Sequence, residues 1–196
     1  MCRHIKPQRK GLVMKLIVAS DLHGSAHFVR QLMERIQEEN PDRVALLGDL
    51  LYHGPRNDLP EGYAPKEVIP LLNSLADRIV AVRGNCDAEV DQMVLNFPCM
   101  QDSAQILDAQ RGITLFLTHG HVFSPDALPP LPGRAAFLSG HTHVKQLHVQ
   151  DGTLVLNPGS VSIPKDGTHS YAVYENGTFT LKTLDGEVLQ ELEFTD

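Results

Sequence analysis

A chain of 196 residues with 42% hydrophobic and 21% charged side chains can bury one sizeable core, and no apolar run approaches the roughly 20 residues that cross a bilayer. Three widely spaced cysteines (Cys2, Cys86 and Cys99), with no CxxC pair, argue against a disulfide framework and fit the reduced thiols of a cytoplasmic protein. Residues 1–13 hold Arg3, Lys6, Arg9 and Lys10 and no acid, so the remainder carries 13 basic against 24 acidic residues, a formal net charge of −11 and a poor match for polymeric DNA or RNA.

In chain order, residues 1–13 read as an N-terminal extension upstream of a second start at Met14, and 14–196 as a single domain. The stretch "GLVMKLIVAS" is short for a signal peptide, is interrupted by Lys15 and runs straight into "DLHG", so it reads as the first core strand. Residues 25–39 carry Phe28, Val29, Leu32, Met33 and Ile36 near helical spacing. "RVALLG" (43–48) is a buried strand leading into "DLLYHG", and a helix opening with Pro65 is expected over 65–77, interrupted early by Pro70. "RIVAVRG" (78–84) leads into "NCD", and a third helix is expected over 88–96. Strand–helix–strand order implies parallel strands. From 104 onward short strands crowd together: "ITLFLT" leads into "HGH", "AAFLSG" into "HTH" and "TLVL" into "NPGS", with hairpin turns at "DGT" (151–153), "ENGT" (175–178) and "LDGE" (184–187). The expected fold is α/β, two mixed sheets packed face to face with helices outside.

Sites in such sheets form beyond the carboxyl ends of the strands. The polar clusters there supply Asp21, His23, Asp49, Asn85, His119, His121, His141 and His143, a set of imidazoles, carboxylates and one amide that suits Mn, Fe, Zn or Ni. Each pair alone has a plainer reading, with Asp21 and Ser25 as helix caps, Asp49 opening an Asx-turn and Asn85 a turn residue. The combination, repeated at four or five strand ends, favours metal.

The motifs "DLHG" (21–24), "GDLLYHG" (48–54), "GNCD" (84–87), "THGH" (118–121) and "GHTH" (140–143), in that order from residue 15 to about 165, resemble those of the calcineurin-like metallophosphoesterases. The resemblance implies a four-layer α-β-β-α sandwich and two divalent metal ions bridged by Asp49. One ion would be held by Asp21, His23, Asp49 and His143, the other by Asp49, Asn85, His119 and His141. Mn2+ is the first expectation, with Zn, Fe, Ni or Mg as alternatives. A hydroxide between the ions would attack phosphorus, with no protein nucleophile.

In larger relatives a histidine follows the asparagine and an aspartate three residues past the bridging aspartate orients it; here those positions are Cys86 and Tyr52. Cys86 therefore reads as a small, partly buried side chain rather than an acid. His121 is the nearest proton donor, or else an outer partner of the ligands, and His53 is a weaker candidate. Arg56, on the Gly-Pro turn of "HGPRN", is a substrate contact or a surface arginine. The loops 58–65 and 124–133 are candidate pocket walls, whereas His4, His27, His148 and His169 read as surface or cap residues, and Lys165 in "SIPKDG" as a solvated lysine or one that faces phosphate. The expected activity is hydrolysis of a small phosphodiester, with a phosphomonoesterase or a non-catalytic scaffold of the same fold as alternatives. Association into dimers or tetramers is a further expectation.

Overall fold

The computed structural model describes residues 13–195. The expected N-terminal extension, His4 included, lies almost wholly outside the described residues. The chain runs β1 (Lys15–Ala19), α1 (Ala26–Glu39), β2 (Arg43–Leu46), α2 (Pro65–Asn73), β3 (Ile79–Ala81), α3 (Glu89–Val94), β4 (Ser103–Asp108), β5 (Ile113–Thr118), β6 (Arg134–Leu138), β7 (Gln146–Gln150), β8 (Thr153–Asn157), β9 (Ser170–Glu175), β10 (Thr178–Thr183) and β11 (Val188–Glu193). Alternate residues of β1 face opposite sides, and both sides are apolar, because the strand is covered on both. Ile17 and Ala19 pack with Val29, Leu32 and Ile36 of α1 and with Val68 and Leu72 of α2. Leu16 and Val18 pack instead with Leu115 and Leu117 of β5 and with Leu154 and Leu156 of β8, in a second core between the two sheets.

The strand order is β11-β10-β9-β1-β2-β3 in one sheet and β4-β5-β6-β8-β7 in the other. β1, β2 and β3 are mutually parallel, as are β5, β6 and β8, while the remaining strands join antiparallel. Both sheets are thus mixed, as expected, and the three "DG" or "NG" turns join β7 to β8, β9 to β10 and β10 to β11. On the outer face of the second sheet, Phe116 stacks with Phe137 and meets Phe123 edge-on from the loop after β5. Among the described residues, no helix is long and apolar enough to cross a membrane.

Local signals account for the helix limits. Ser25 caps α1 by accepting from the Phe28 N–H at 3.3 Å, and Asn40 closes it in the left-handed region at φ 46°. α2 stops at Asn73, short of the expected 77; the Asn73 side chain leaves the helix register to bridge the Val94 carbonyl and the Asn96 N–H. His169, expected at the surface, is half-buried and stacks on Phe28 with ring centroids 3.8 Å apart. His27 and His148 are exposed, as expected.

Glu39, at the end of α1, ties that helix to three strands. Its carboxylate meets Lys15 of β1 at 2.8 Å, Lys182 of β10, and the Tyr171 hydroxyl of β9 at 3.3 Å. Burial opposes ionisation of Glu39, but the two ammonium groups outweigh it and hold the carboxyl below its ordinary range. A depressed native pKa gives stability that is present above the unfolded pKa and lost as pH falls through the native one. Glu39→Gln should therefore lower the unfolding free energy of the metal-free protein by about 1–2 kcal/mol at neutral pH. In urea titrations, the gap to wild type should close towards pH ~3; a gap independent of pH would contradict the assignment.

Candidate metal centre

β1 and β2 run in register from Leu16–Arg43 to Ala19–Leu46. The pairing continues past the strands: Asp21 N–H donates to the Gly48 carbonyl at 3.1 Å, and His23 N–H to the Asp49 carbonyl at 2.9 Å. Asp21, His23 and Asp49 therefore leave the first sheet side by side. Asn85 follows β3 in the same sheet, while His119, His121, His141 and His143 follow β5 and β6 of the second sheet. The site is a seam between the two sheets.

The backbone there is strained. Asp21, His23, Asp49, His141 and His143 all have positive φ, between 45° and 68°, which L-residues other than glycine rarely adopt. Side chains hold these loops in place. Ser160 and Ser162 hydroxyls donate to the Asp21 carbonyl at 2.8 and 3.0 Å. Asn157 Nδ2 donates to the Gly140 carbonyl at 2.8 Å and to Thr142 Oγ1 at 3.0 Å. Asp87 accepts from the N–H groups of Asp49, Leu50 and Gly84 at 2.7–2.9 Å. A Cβ at Gly84 would collide with the Asp49 carboxylate, and one at Gly140 with Ser20 Oγ, so close approach demands glycine at both. None of these supports is singled out by the sequence; Gly84 and Asp87 belong to "GNCD", Gly140 to "GHTH" and Asn157 and Ser160 to "NPGS", while Ser162 lies in none of these motifs.

The imidazoles are anchored from behind. His23 Nδ1 lies 2.9 Å from the Tyr52 carbonyl, His119 Nδ1 2.6 Å from that of Leu47, and His143 Nδ1 2.8 Å from that of Ile163. A carbonyl only accepts, so each Nδ1 carries the hydrogen, and each Nε2 is turned into the cluster, where it offers its lone pair to a cation, whether metal or proton. These lone pairs converge: His23 and His143 Nε2 are 3.3 Å apart, and Asp21 Oδ1 lies 3.1 Å from His143 Nε2 while receiving no hydrogen bond. Asp49 Oδ2 is 3.5 Å from His119 Nε2 and 3.7 Å from His23 Nε2. Asn85 Oδ1 is 3.1 Å from His119 Nε2, and the His119 and His141 rings are 5.1 Å apart. Buried acceptors facing one another are unfavourable unless a cation lies among them, so this donor set fits divalent metal. Among the described residues, three sets bring their ligand atoms together: Asp21, His23 and His143; Asp21, Asp49 and His119; and His23, Asp49 and Cys86, whose sulfur thus borders the cluster.

The electrostatics agree. Burial opposes the charge of Asp21, yet the surrounding imidazoles keep its carboxyl far below the ordinary range. Burial likewise favours neutral His119, but the Asp49 carboxylate lifts it to about 9, marking the site's appetite for positive charge. His121 is half-buried, with its ring 5.3 Å from that of His119 and its Nδ1 without a partner. Burial, then His119 and Arg83, push its pKa down. Arg56 is exposed and lines a cavity of about 400 Å³ with Asn57, Asn85, His141, Thr142, His143 and Lys165. Lys165 thus faces the site rather than bulk solvent alone.

Cys86 is half-buried against Gly54, and its sulfur accepts from Asn85 Nδ2 at 3.2 Å. That contact turns the amide oxygen of Asn85 towards His119. Burial, then the Asp49 carboxylate, push the thiol up to about 12, which disfavours the thiolate and makes it a poor nucleophile.

The family model described as the calcineurin-like phosphoesterase superfamily domain matches residues 14–178. The phosphodiesterase YfcE of Escherichia coli is 45% identical over 177 residues, 89% of this chain and 95% of its own. The solved structure of that E. coli phosphoesterase superimposes with a TM-score of 0.89 at 42% identity, covering 93% of this chain and all of the other. Wild-type Vps29 of Entamoeba histolytica complexed with zinc shares the fold at 22% identity, with a TM-score of 0.61 over 93% of this chain and 100% of its own.

With its thiol protonated, Cys86 should react with iodoacetamide at pH ~8 roughly a thousandfold more slowly than a free thiol, read by peptide mass spectrometry. Cys86→Ala should keep turnover within a factor of about 5, the effect of losing one neutral hydrogen bond. Rapid labelling accompanied by inactivation would assign the thiol a chemical role.

Proposed function

The chain belongs to the calcineurin-like phosphoesterase superfamily, and from that premise we propose that it is a metal-dependent phosphodiesterase acting on a small phosphodiester in the cytoplasm. One observation carries the reading: three imidazoles anchored through Nδ1 turn their Nε2 atoms onto the carboxylates of Asp21 and Asp49. Asp21, His23, Asp49 and His143 would hold one divalent ion, and Asp49, Asn85, His119 and His141 a second, Mn2+ being the first choice for a donor set of nitrogen and oxygen. When bound, such ions supply Lewis-acid neutralisation of the phosphoryl charge and an activated water.

The rest falls to the chain's own side chains. Arg56 offers its guanidinium fork to an anionic part of the substrate. His121 lies beside the ligand cluster with an unpartnered Nδ1, and the arriving phosphoryl anion raises its proton affinity, so it serves as donor to the departing oxygen. The formal charge of −11 outside the first 13 residues and a cavity of about 400 Å³ support a small substrate over a polymer.

Chelator-stripped protein given back Mn2+ should hydrolyse bis(p-nitrophenyl) phosphate at least about tenfold faster than p-nitrophenyl phosphate. His121→Ala should slow alkyl diesters by about a hundredfold and p-nitrophenyl diesters far less, because a good leaving group needs no proton. Faster turnover of the monoester, or turnover insensitive to chelator, would overturn the proposal.

A further inference from the structure

Most of the basic side chains are engaged. Lys15 and Lys182 meet Glu39, Arg30 meets Glu67, Arg35 meets Glu38, Arg83 meets Asp102 and Lys145 meets Asp166. Arg43 and Arg78 donate to backbone carbonyls, and Arg111 to Asn176. Among the described residues, no hydrogen bond or ion pair engages the side chains of Arg56, Lys66 and Lys165. Two of these three, Arg56 and Lys165, line the cavity that opens on Asn85, His141 and His143. They reach it from different sheets: Arg56 follows β2, whereas Lys165 follows β8 with its backbone N–H on the His143 carbonyl at 3.0 Å. The acid beside Lys165, Asp166, is already held by Lys145 through both the ammonium group and the backbone N–H, so it does not neutralise Lys165.

Two uncompensated cations over one cavity, in a body so acidic, call for an anionic ligand. A diester phosphate carries a single negative charge, which the cations that Asp21 and Asp49 would hold suffice to neutralise. From this juxtaposition we propose that Arg56 and Lys165 form a second anion subsite, taking a phosphate monoester carried on one arm of the phosphodiester substrate. A terminal phosphate, at about −1.5 to −2 charges near neutral pH, matches one guanidinium fork and one ammonium better than a carboxylate does. This deepens the phosphodiesterase reading and rests on it; Arg56 then grips the remote phosphate and Lys165 sets specificity.

The test uses two diesters with the same scissile bond: thymidine p-nitrophenyl phosphate, with and without a second phosphate on the other sugar hydroxyl. Wild type should favour the doubly phosphorylated ester in kcat/KM by about tenfold or more, the factor a charge-assisted hydrogen bond supplies. In Lys165→Met that ratio should fall towards unity, and Lys165→Arg should restore most of it. Because the readout is a ratio, a general loss of activity or folding leaves it unmoved. A wild-type ratio near unity, or one unchanged in Lys165→Met, would overturn the subsite. If neither ester is cleaved by the Mn2+-loaded protein, the phosphodiesterase reading fails and binding decides the subsite. Calorimetry of the metal-free protein should then show thymidine monophosphate binding about tenfold tighter than thymidine in wild type, with most of that difference lost in Lys165→Met, and equal binding of the two in wild type would overturn it.

Discussion

The structure depends on holding buried acceptors against one another. Asp21, Asp49 and the Nε2 atoms of three imidazoles converge, with separations of 3.1–3.7 Å, in a cluster that only a cation can hold together. Alone, such groups would move apart. They stay because each is fixed from behind: the imidazoles by backbone carbonyls, Asp49 by the Cys86 N–H at 2.8 Å, and Asp21 by the His141 N–H at 3.0 Å. The price of preorganisation also shows in the backbone, where Asp21, His23, Asp49 and His143, with the neighbouring His141, sit at positive φ, each costing about 1–3 kcal/mol.

The sandwich makes that arrangement affordable in structural terms. The carboxylates and Asn85 extend from the first sheet and the cluster His119, His141 and His143 from the second, so the geometry of the centre is the geometry of the packing between the sheets. The core between them, from Leu16, Val18 and Leu47 to Leu117, Leu138 and Leu156, is fully buried and sets their separation. Each such side chain contributes about 1.5–3 kcal/mol by burial, enough in sum to carry several strained loops. Asn157, Ser160 and Ser162, at the end of β8, then lock the loops after β1 and β6 to one another.

Much of this was legible in the sequence. Apolar runs closing on polar clusters located β1, β2, β3, β5, β6 and β8, and "DG" or "NG" turns located the hairpins, because these signals are local. The rule that strand ends collect sites gathered Asp21, His23, Asp49, Asn85, His119, His121, His141 and His143, while the division of seven of them into ligands came from the family resemblance. The supports were not legible. Asp87, Asn157, Ser160 and Ser162 act on backbone groups remote in sequence, and a serine or asparagine in a loop has many plainer uses. Lys165 looked solvated for the same reason: its place beside His143 depends on the return of the chain after β8. His169 looked exposed because nothing local announces its stacking on Phe28.

The central claim is that this seam is a two-metal site. The most direct measurement is anomalous scattering from a crystal soaked in Mn2+. The account predicts two peaks about 3.5–4 Å apart, bridged by Asp49, with Asp21, His23 and His143 around one and Asn85, His119 and His141 around the other. A single peak, or peaks that leave Asp49 uncoordinated, would contradict it.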